Sequence, residues 1–489
     1  MWIDLNKAGD FAFPAGYDVC VCGSGPAGMT VARRLKDAGA RVLLLEAGGL
    51  EPSEVSQSAY AGKSVGPQIY YGVEACRLRY FGGSSNHWTG MCTRLDEIDF
   101  EERGNREMPG WPIAFEDIYR YENEARAILD IADEPFDRKD FPLWRDPRLR
   151  PGRVAFSPPT RFGEKYKAEL EASSNLDVAL NANVVDARLD DGKRALRELV
   201  VVNYGGKEFA VTAKYFVIAF GGLENPRFLL NARADNEAGL GNEHDLVGRC
   251  FMEHFDLTLG RFVGLGAPIW NHGGLSLSPS PEVMRARGIG NSFLSLSADA
   301  QLKFYGRLAF MRRAIRDLTC SSDFLLERAR RKRDFLCEGD GIVTTIMEQS
   351  SSRSSRVMLD DDERDRFGRA RLKVDWRIND QDLKTMRALA EEVGKSLAAQ
   401  NFGRLRITPE ILAGEPQLGM HCHHLGTTRM SAAARDGVVD GDCRAHGVDN
   451  LYIGGSSVFP TGGGCNPTFT IVCLALRLGD HLARRLGKA

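Results

Sequence analysis

Histidines crowd into one short stretch of the sequence, Met420-His421-Cys422-His423-His424. Because the ordinary pKa of histidine lies close to neutral pH, such side chains can take and return protons under physiological conditions. Imidazole and thiolate are also metal ligands, but neighbouring side chains diverge and the paired spacings of a structural zinc site are missing. The cluster therefore predicts proton transfer and no metal site.

Three glycines near the start of the chain have the spacing of a phosphate-binding turn. Gly23, Gly25 and Gly28 directly follow an apolar, β-favouring run, Tyr17–Cys22, and open a helical pattern. Glycines at these positions let the chain turn tightly, so that free amides at the helix N-terminus can contact a pyrophosphate. The motif predicts a dinucleotide site.

An acidic residue completes this motif. Glu46 follows the next predicted strand, Val42–Leu45, at the place where a carboxylate can bind ribose hydroxyls. The alternative is a structural glycine turn with Glu46 as an ordinary acid at a strand end. These residues do not choose between NAD and FAD, so that choice depends on the rest of the chain.

The elements around the glycines predict a βαβ unit. The strand before the turn, a helix over residues 29–38 that Gly39 ends, and the strand Val42–Leu45 belong at the centre of a parallel sheet. Further β-rich runs occupy residues 174–218, and turns at residues 190–192 and 205–206 separate them. These runs predict additional sheet.

The middle of the chain changes character. Residues 261–407 mix Gly/Pro/Ser loops with alternating apolar and polar segments and a polar helix at residues 384–397, which favours an inserted second domain. Residues 312–334 carry many arginines on a helical pattern. They indicate a solvated helix face or, as the alternative, a docking surface for another protein.

Composition bounds the class of protein. A chain of 489 residues can form a large α/β enzyme with an inserted domain. Its 64 Lys plus Arg and 66 Asp plus Glu create no field that would attract nucleic acid or anionic membranes. Eleven irregularly spaced cysteines favour free thiols and a cytoplasmic location. Because a leader pattern and a long apolar run are both missing, we expect neither secretion nor a membrane span.

Four stretches of the sequence resemble the glucose-methanol-choline (GMC) oxidoreductase family. They are residues 17–49, residues 80–88, residues 218–225 and the region from His423 onward. The last is the most specific, because it begins with His423-His424-Leu425-Gly426-Thr427-Thr428-Arg429-Met430 and closes with Asn466-Pro467-Thr468-Phe469-Thr470. Residues 255–405, where members of the family differ by substrate, hardly share the resemblance.

The resemblance implies an α/β fold of two parts. We expect a Rossmann-like FAD-binding domain with an inserted α+β substrate-binding domain built on an antiparallel sheet, as in p-hydroxybenzoate hydroxylase. The FAD-binding domain is assigned to residues 1–110, 150–260 and 408–489. The substrate-binding domain and lid are assigned to residues 111–149 and 261–407.

The resemblance also implies FAD as the cofactor. The expected FAD-binding residues are Gly23, Gly25, Gly28, Glu46, Gly83, Ser84, Asn86, His87, Trp88, Gly221, Gly455, Asn466, Pro467 and Thr468. In the commoner form of the 80–88 loop, Asn and Gly follow in place of Trp88 and Thr89, whereas this loop resembles the pyranose oxidase and glycoside 3-oxidase branch. In pyranose oxidases its histidine is covalently bound to a flavin methyl group. His87 either carries that bond or packs as a loop histidine on non-covalent FAD.

The same resemblance assigns the catalytic residues. His423 matches the family's base, which takes the hydroxyl proton of the substrate. Asn466 matches the group that steadies the substrate oxygen while a hydride passes to flavin N5. Asn466 before Pro467 is also a favourable helix N-cap, and both roles can hold together. That helix would direct its positive N-terminus at the pyrimidine edge of the flavin.

The predicted function is FAD-dependent oxidation of an alcohol, a secondary hydroxyl of a pyranose sugar or glycoside, to the carbonyl. Glu348 and Gln349 are candidate substrate contacts, with solvent exposure as their alternative. Three other functions stay open: dehydrogenation of a non-sugar alcohol, a flavin-dependent lyase reaction on the same fold, and flavin binding without catalysis. The partners expected are a small-molecule substrate and an electron acceptor, which is oxygen, a quinone or another carrier.

Overall fold

The structure is a computed structural model. It describes residues 1–104, 106–132, 136, 144–152, 154–264, 275–298 and 341–488. The arginine-rich residues 312–334 lie outside the described residues, and so does the prediction made for them.

Six parallel strands form a central sheet. Their order across the sheet is Trp2–Asp4, Leu176–Leu180, Val42–Leu45, Tyr17–Cys22, Ala213–Ile218 and Leu451–Ile453. Every residue of the two strands around the glycine turn is buried, as expected where helices cover both faces of a parallel sheet. Helix Pro26–Asp37 connects these two strands, which confirms the predicted βαβ unit.

Two long helices pack side by side on this sheet. The C-terminal helix, Thr468–Arg485, lies against Pro26–Asp37. Their backbones approach closely at Gly479, where a Cβ would stand 2.7 Å from Cγ of Arg34. Arg34 Nε also pairs with Asp480 Oδ1 at 2.5 Å, so this contact joins the two ends of the chain.

A small antiparallel sheet follows the β-rich part of the sequence. Its strands are Asn183–Leu189, Leu196–Val202 and Glu208–Val211, joined as two hairpins. The hairpins turn at residues 190–195 and 203–207, which confirms the turns predicted there.

A second large sheet is antiparallel and lies in the inserted region. Its order is Gly403–Ile407, His254–Gly264, Gly341–Glu348, Ser292–Ala298, Leu275–Pro279 and Leu149–Pro151, and Gly419–Met420 pairs with His254–Gly264 beside this path. Helix Asp380–Ala399 packs against it and starts at the capping residue Asn379, whose side chain accepts from the backbone N of Asp382. The predicted polar helix and antiparallel sheet are therefore confirmed.

The remaining elements are short. In a further sheet, Ala370–Asp375 pairs with Arg356–Arg364 on one side and with Gly62–Ser64 on the other, and in another sheet Met91–Cys92 pairs with Ala155–Phe156. The other α-helices among the described residues are Glu54–Gln57, Phe115–Tyr119, Glu122–Ile128, Phe162–Glu171, Glu224–Asn231, Pro281–Arg287 and Pro409–Ala413. Single 3-10 turns occur at Leu5–Lys7, Ser58–Tyr60, Gly83–Asn86, Glu97–Phe100 and Ser456–Val458. Within the described ranges, no helix has the length and apolar character needed to cross a membrane.

The elements do not follow the predicted domain bounds residue by residue. Strand His254–Gly264 starts inside the segment assigned to FAD binding, yet it belongs to the inserted antiparallel sheet. Helices Phe115–Tyr119 and Glu122–Ile128, assigned to the lid, pack against the C-terminal helix. The bounds of the two parts therefore stay a prediction.

Candidate active site

A cavity of about 540 Å³ lies at the carboxyl edge of the central sheet. Gly23, Glu46 and Ala219 each directly follow one of its strands and line this cavity. This edge is the usual ligand site of parallel α/β sheets. The predicted cofactor residues in the lining are Gly23, Gly25, Glu46, Gly83, Ser84, His87, Trp88, Gly221, Gly455, Asn466, Pro467 and Thr468. Gly28 and Asn86 do not belong to it.

The three glycines of the turn have different roles. Gly23 adopts φ 104°, and a Cβ there would stand 2.5 Å from the carbonyl oxygen of Ala219. A Cβ on Gly28 would stand 1.9 Å from the carbonyl oxygen of Gly23, so this glycine allows the helix to pack on the strand. Around a Cβ on Gly25 the protein has no atom within 4 Å. Gly25 therefore leaves room for a bound group, whereas the other two serve backbone packing.

Glu46 is held rigidly at the cavity. Its Oε2 accepts from the hydroxyl of Ser24 at 2.5 Å and from the Ser24 backbone N at 3.2 Å, while Oε1 accepts from Gly48 N at 2.9 Å. Ser24 Oγ in turn accepts from Gly82 N at 3.0 Å. Each carboxylate oxygen has more than one acceptor position, so Glu46 can still bind a ribose hydroxyl. Ser24 is a residue that sequence reasoning missed.

Four buried charged residues, which we name the arginine–carboxylate network, form another part of the lining. Arg77 Nη1 lies 2.7 Å from Glu224 Oε1, and Arg227 Nη1 lies 3.1 Å from Glu224 Oε2. Arg227 Nη2 also lies 2.5 Å from Asp365 Oδ2. Arg77, the helical pair Glu224 and Arg227, and Asp365 come from three distant parts of the sequence, which explains why no local motif revealed the network.

The 80–88 loop forms the wall that carries His87. Asn86 Nδ2 donates to Phe81 O at 2.9 Å, so its role is to shape the loop from outside the cavity. Trp88 Nε1 donates to Thr160 O at 2.9 Å, which fixes the following residue. His87 is exposed on the lining, and partial burial together with the charge of Arg161 lowers the pKa of its imidazole. This position fits both the covalent and the non-covalent alternative.

The structure brings His423 and Asn466 together across 43 residues of sequence. His423 Nε2 lies 3.4 Å from Asn466 Nδ2, and both side chains line the cavity. Burial lowers the pKa of His423 well below its ordinary value of 6.5, and the neighbouring His254, His421 and His424 lower it further. The imidazole is therefore neutral at pH 7, as a base must be before it takes a proton.

The N-cap role predicted for Asn466 is wrong. The C-terminal helix begins at Thr468, Pro467 occupies the cap position, and no side chain caps the helix. Asn466 instead directs its amide toward His423, while its backbone N donates to Thr93 Oγ1 at 2.6 Å. Its Oδ1 is buried and has no hydrogen-bond partner within the part of the chain that the structure describes. The side chain of Asn466 therefore contacts His423 at the cavity and does not cap the C-terminal helix.

Glu348 and Gln349 lie away from the cavity. Both are buried, with 4% and 1% of their surface exposed, so the alternative of solvent exposure is wrong. Glu348 Oε2 accepts from Asn291 N at 2.9 Å. Gln349 Oε1 accepts from Trp376 Nε1 at 3.0 Å and from Glu253 N at 3.0 Å. These contacts support the inserted sheet, and neither residue is in the cavity lining.

Behind His423 stands a carboxylate that sequence reasoning also missed. Glu253 Oε1 accepts from the backbone N of His423 at 2.7 Å and from that of His254 at 2.9 Å. Its Oε2 accepts from the Tyr70 hydroxyl at 2.8 Å. A Glu-His pair at the start of a β pattern was the available signal, but no spacing connects it with His423.

Two protein-family profiles match the chain. A profile described as GMC oxidoreductase matches residues 350–475, and one described as FAD dependent oxidoreductase matches residues 18–222. Both matches fit the resemblance to the GMC oxidoreductases, and the protein is called the GMC protein below. The matched stretches contain the glycine turn, Glu46, His423 and Asn466. This GMC protein is an FAD-dependent oxidoreductase that acts on alcohol or sugar hydroxyls.

Some relatives match almost the whole chain. The 2-methyl-1,2-propanediol dehydrogenase of Mycolicibacterium austroafricanum is 25% identical over 96% of this chain and 95% of its own length. The C-glycoside 3-oxidase of Microbacterium trichothecenolyticum is 23% identical over 96% of this chain and 97% of its own length. The solved structure of a fungal aryl-alcohol oxidase superposes with a TM-score of 0.61 at 15% identity, covering 97% of this chain and 100% of the other. The predicted fold class is confirmed.

The cavity residues of the GMC protein fit FAD. At Gly25 and Gly221 the protein leaves open space where a side chain would stand. Glu46 offers fixed carboxylate oxygens beside the turn, and the amides that begin helix Pro26–Asp37 have no side-chain cap. Free amides at a helix N-terminus bind phosphate oxygens. Thr468, which also lines the cavity, is the first residue of the C-terminal helix, so the N-terminus of that helix reaches the cavity.

Proposed function

We propose that this GMC protein oxidises a secondary hydroxyl of a pyranose sugar or glycoside to a carbonyl. The observation that carries the proposal is the pairing of His423 Nε2 with the Asn466 amide on the wall of a cavity that fits FAD. The sugar class is supported by the Asn86-His87-Trp88 loop and by the likeness to a C-glycoside 3-oxidase.

His423 and Asn466 have different roles at the substrate hydroxyl. His423 takes the hydroxyl proton at Nε2, which its lowered pKa keeps unprotonated at pH 7. Asn466 Nδ2 donates to the same oxygen as negative charge develops there, in the manner of an oxyanion-hole amide. Bound FAD supplies the acceptor for the hydride of the substrate carbon.

Anaerobic reduction of the flavin tests the substrate class. The yellow protein is mixed without oxygen with D-glucose, methyl β-D-glucopyranoside, ethanol, choline or 2-methyl-1,2-propanediol, and the loss of flavin absorbance is followed. We expect one of the two pyranoses to reduce the flavin at least roughly tenfold faster than ethanol or choline, the lower end of what a shaped pocket discriminates. Faster reduction by choline contradicts the proposed branch.

A second candidate is oxidation of a small vicinal diol. It is favoured by the 2-methyl-1,2-propanediol dehydrogenase, which matches over nearly the whole length of both chains. The same experiment separates the candidates, because this function requires 2-methyl-1,2-propanediol to reduce the flavin faster than either pyranose. Both candidates use His423 and Asn466 in the same roles.

The electron acceptor is identified in the second half of that experiment. After the substrate has bleached the flavin, air-saturated buffer or a soluble quinone is added and the return of absorbance is timed. Faster recovery with oxygen identifies an oxidase, and faster recovery with the quinone identifies a dehydrogenase.

A further inference from the structure

The proton positions on His254 follow from its surroundings. Its Nε2 lies 2.8 Å from Gly463 O and 3.2 Å from Gly462 O. Carbonyl oxygens only accept, so Nε2 must carry a hydrogen. His254 is fully buried, and burial lowers its pKa to about 4, so the ring is neutral at pH 7. A neutral imidazole has a single N–H, which leaves Nδ1 of His254 as an acceptor.

This assignment fixes the tautomer of His423. The Nδ1 atoms of His254 and His423 are 2.9 Å apart, a hydrogen-bond distance. Two lone pairs cannot form that bond, so His423 must donate from Nδ1. Its Nε2 then has a free lone pair, and this is the nitrogen 3.4 Å from the Asn466 amide. The rings meet edge to face, with centroids 5.0 Å apart and planes at 82°.

We propose that His254 is a positioning residue, which holds His423 in the Nδ1–H tautomer and so presents Nε2 to the substrate hydroxyl. The inference rests on the proposed function of His423 as the base. A buried carboxylate performs the corresponding task for the histidine of a Ser-His-Asp triad. Here the partner is a neutral imidazole, so it sets the tautomer without adding a negative charge next to His423.

The main chain holds the two rings in this relationship. Glu253 Oε1 accepts from the backbone N of both His254 and His423, so one oxygen atom ties the two residues together. The far side of His254 is fixed by the carbonyls of Gly462 and Gly463, which precede Asn466 by only a few residues. Base, positioning residue and substrate-binding amide therefore share one hydrogen-bonded unit.

Two variants of His254 separate positioning from packing. His254→Leu removes the acceptor, whereas Oδ1 of His254→Asn can stand near the Nδ1 position and accept from His423. In FAD-replete protein reduced anaerobically by methyl β-D-glucopyranoside or by 2-methyl-1,2-propanediol, whichever is faster, we expect His254→Leu to lower the limiting rate roughly 10²- to 10⁴-fold. We expect His254→Asn to stay within about tenfold of the parent, as rescue of the acceptor implies. The substrate concentration at half rate should change little in either variant.

A spectroscopic measurement decides the tautomer without catalysis. The chain has nine histidines, so ring-labelled [¹⁵N]histidine gives a small set of signals, and the signal lost in His423→Gln belongs to His423. We expect a protonated Nδ1 and an unprotonated Nε2 at neutral pH. An Nε2–H tautomer of His423, full activity in His254→Leu, or equal losses in the Leu and Asn variants would overturn the inference. If His423→Ala itself reduces flavin normally, the proposed function fails instead.

Discussion

We propose that His423 and Asn466 act on one substrate oxygen, and their removal should then have separable effects. We expect His423→Ala to lower the anaerobic flavin-reduction rate roughly 10²- to 10⁴-fold, because a positioned base is lost. Asn466→Ala should lower it roughly 10²- to 10³-fold, because one donor to the developing charge is lost. Stopped-flow absorbance of FAD-replete variants measures both rates.

A histidine far from the cavity provides the control for this comparison. His244 is exposed on the surface, so His244→Ala should reduce flavin at the parental rate. His424, the next residue after His423, tests which of the two histidines is the base. Its ring is buried, with its centroid 6.4 Å from that of Phe251. If His424→Ala abolishes reduction while His423→Ala has the normal rate, the base has been assigned to the wrong histidine.

The lowered pKa of His423 predicts a specific pH dependence. A base works only when unprotonated, so the rate is lost as pH falls through its pKa, which burial places well below 6.5. The groups facing it are His254, His421 and His424, each of which lowers its pKa further, and Glu253, which bonds only to its backbone N. Flavin reduction measured against pH should remain on its plateau at 6.5. A midpoint at or above 6.5 contradicts this electrostatic description.

At the residue scale, the sequence predicted the side chains that we propose to react but not the side chains that orient them. His423 and Asn466 stand within motifs, and the structure places both on the cavity wall. Glu253 contacts His423 through its backbone N, and the carbonyls of residues 462 and 463 hold the far side of His254; any residue type could supply these backbone atoms. No pattern of side chains in a single sequence records such contacts.

At the scale of elements, alanine substitutions at two glycines of one turn should have different effects, one on stability and one on FAD binding. Gly28→Ala places a Cβ 1.9 Å from Gly23 O, so the helix must move from the strand and we expect a loss of roughly 1–3 kcal/mol or more in stability. Gly25→Ala meets no protein atom within 4 Å, and its φ of −67° suits alanine. That variant should retain its fold but bind FAD more weakly. Thermal unfolding and FAD titration measure the two effects.

The Gly25→Ala and Gly28→Ala variants serve as controls for each other. Equal thermal destabilisation of both variants, with FAD affinity unchanged in Gly25→Ala, would show that the open space at Gly25 does not receive the cofactor. Thermal scans must compare samples at one FAD concentration, because ligand binding to the folded state raises the unfolding temperature by mass action.

Local sequence patterns predicted correctly those helices, strands and turns whose structure depends mainly on residues close in sequence. The glycine turn, its flanking strands and the hairpins after residue 183 follow from apolar periodicity and turn residues. The N-cap at Asn466 was wrong because the site draws the amide toward His423 and the helix starts at Thr468. Tertiary contact overrides a capping preference that typically amounts to about 1 kcal/mol.

At the scale of the whole molecule, the pairing of strands that are distant in the sequence could not be predicted from the sequence alone. Strand His254–Gly264 pairs with Gly341–Glu348 on one side and Gly403–Ile407 on the other, and neither register has a local signal. The resemblance supplied the inserted antiparallel sheet, but not the position where it starts. That start matters, because Glu253 and His254 lie there and both contact His423, the proposed base.

The arginine–carboxylate network joins separate parts of the molecule, so breaking it should weaken the whole fold. Arg227 bonds to Asp365 and also donates from Nε to Ala370 O, which ties helix Glu224–Asn231 to the hairpin that contains both residues. Asp365→Asn removes one charge and leaves Arg227 buried without full compensation. Breaking a buried ion pair in this way costs roughly 3–5 kcal/mol.

Urea unfolding of the FAD-saturated protein measures this cost. The matched control is Asp361→Asn in the same hairpin, where Asp361 pairs with Lys373 at 2.9 Å but has a side chain 89% exposed. Because water screens an exposed pair, that variant should lose less than about 1 kcal/mol. Equal losses in the two variants would mean that the network adds no more to the free energy of unfolding than a surface ion pair does. A large loss confined to Asp365→Asn, with FAD still bound, would establish that the buried charges hold the cofactor domain and the hairpin together.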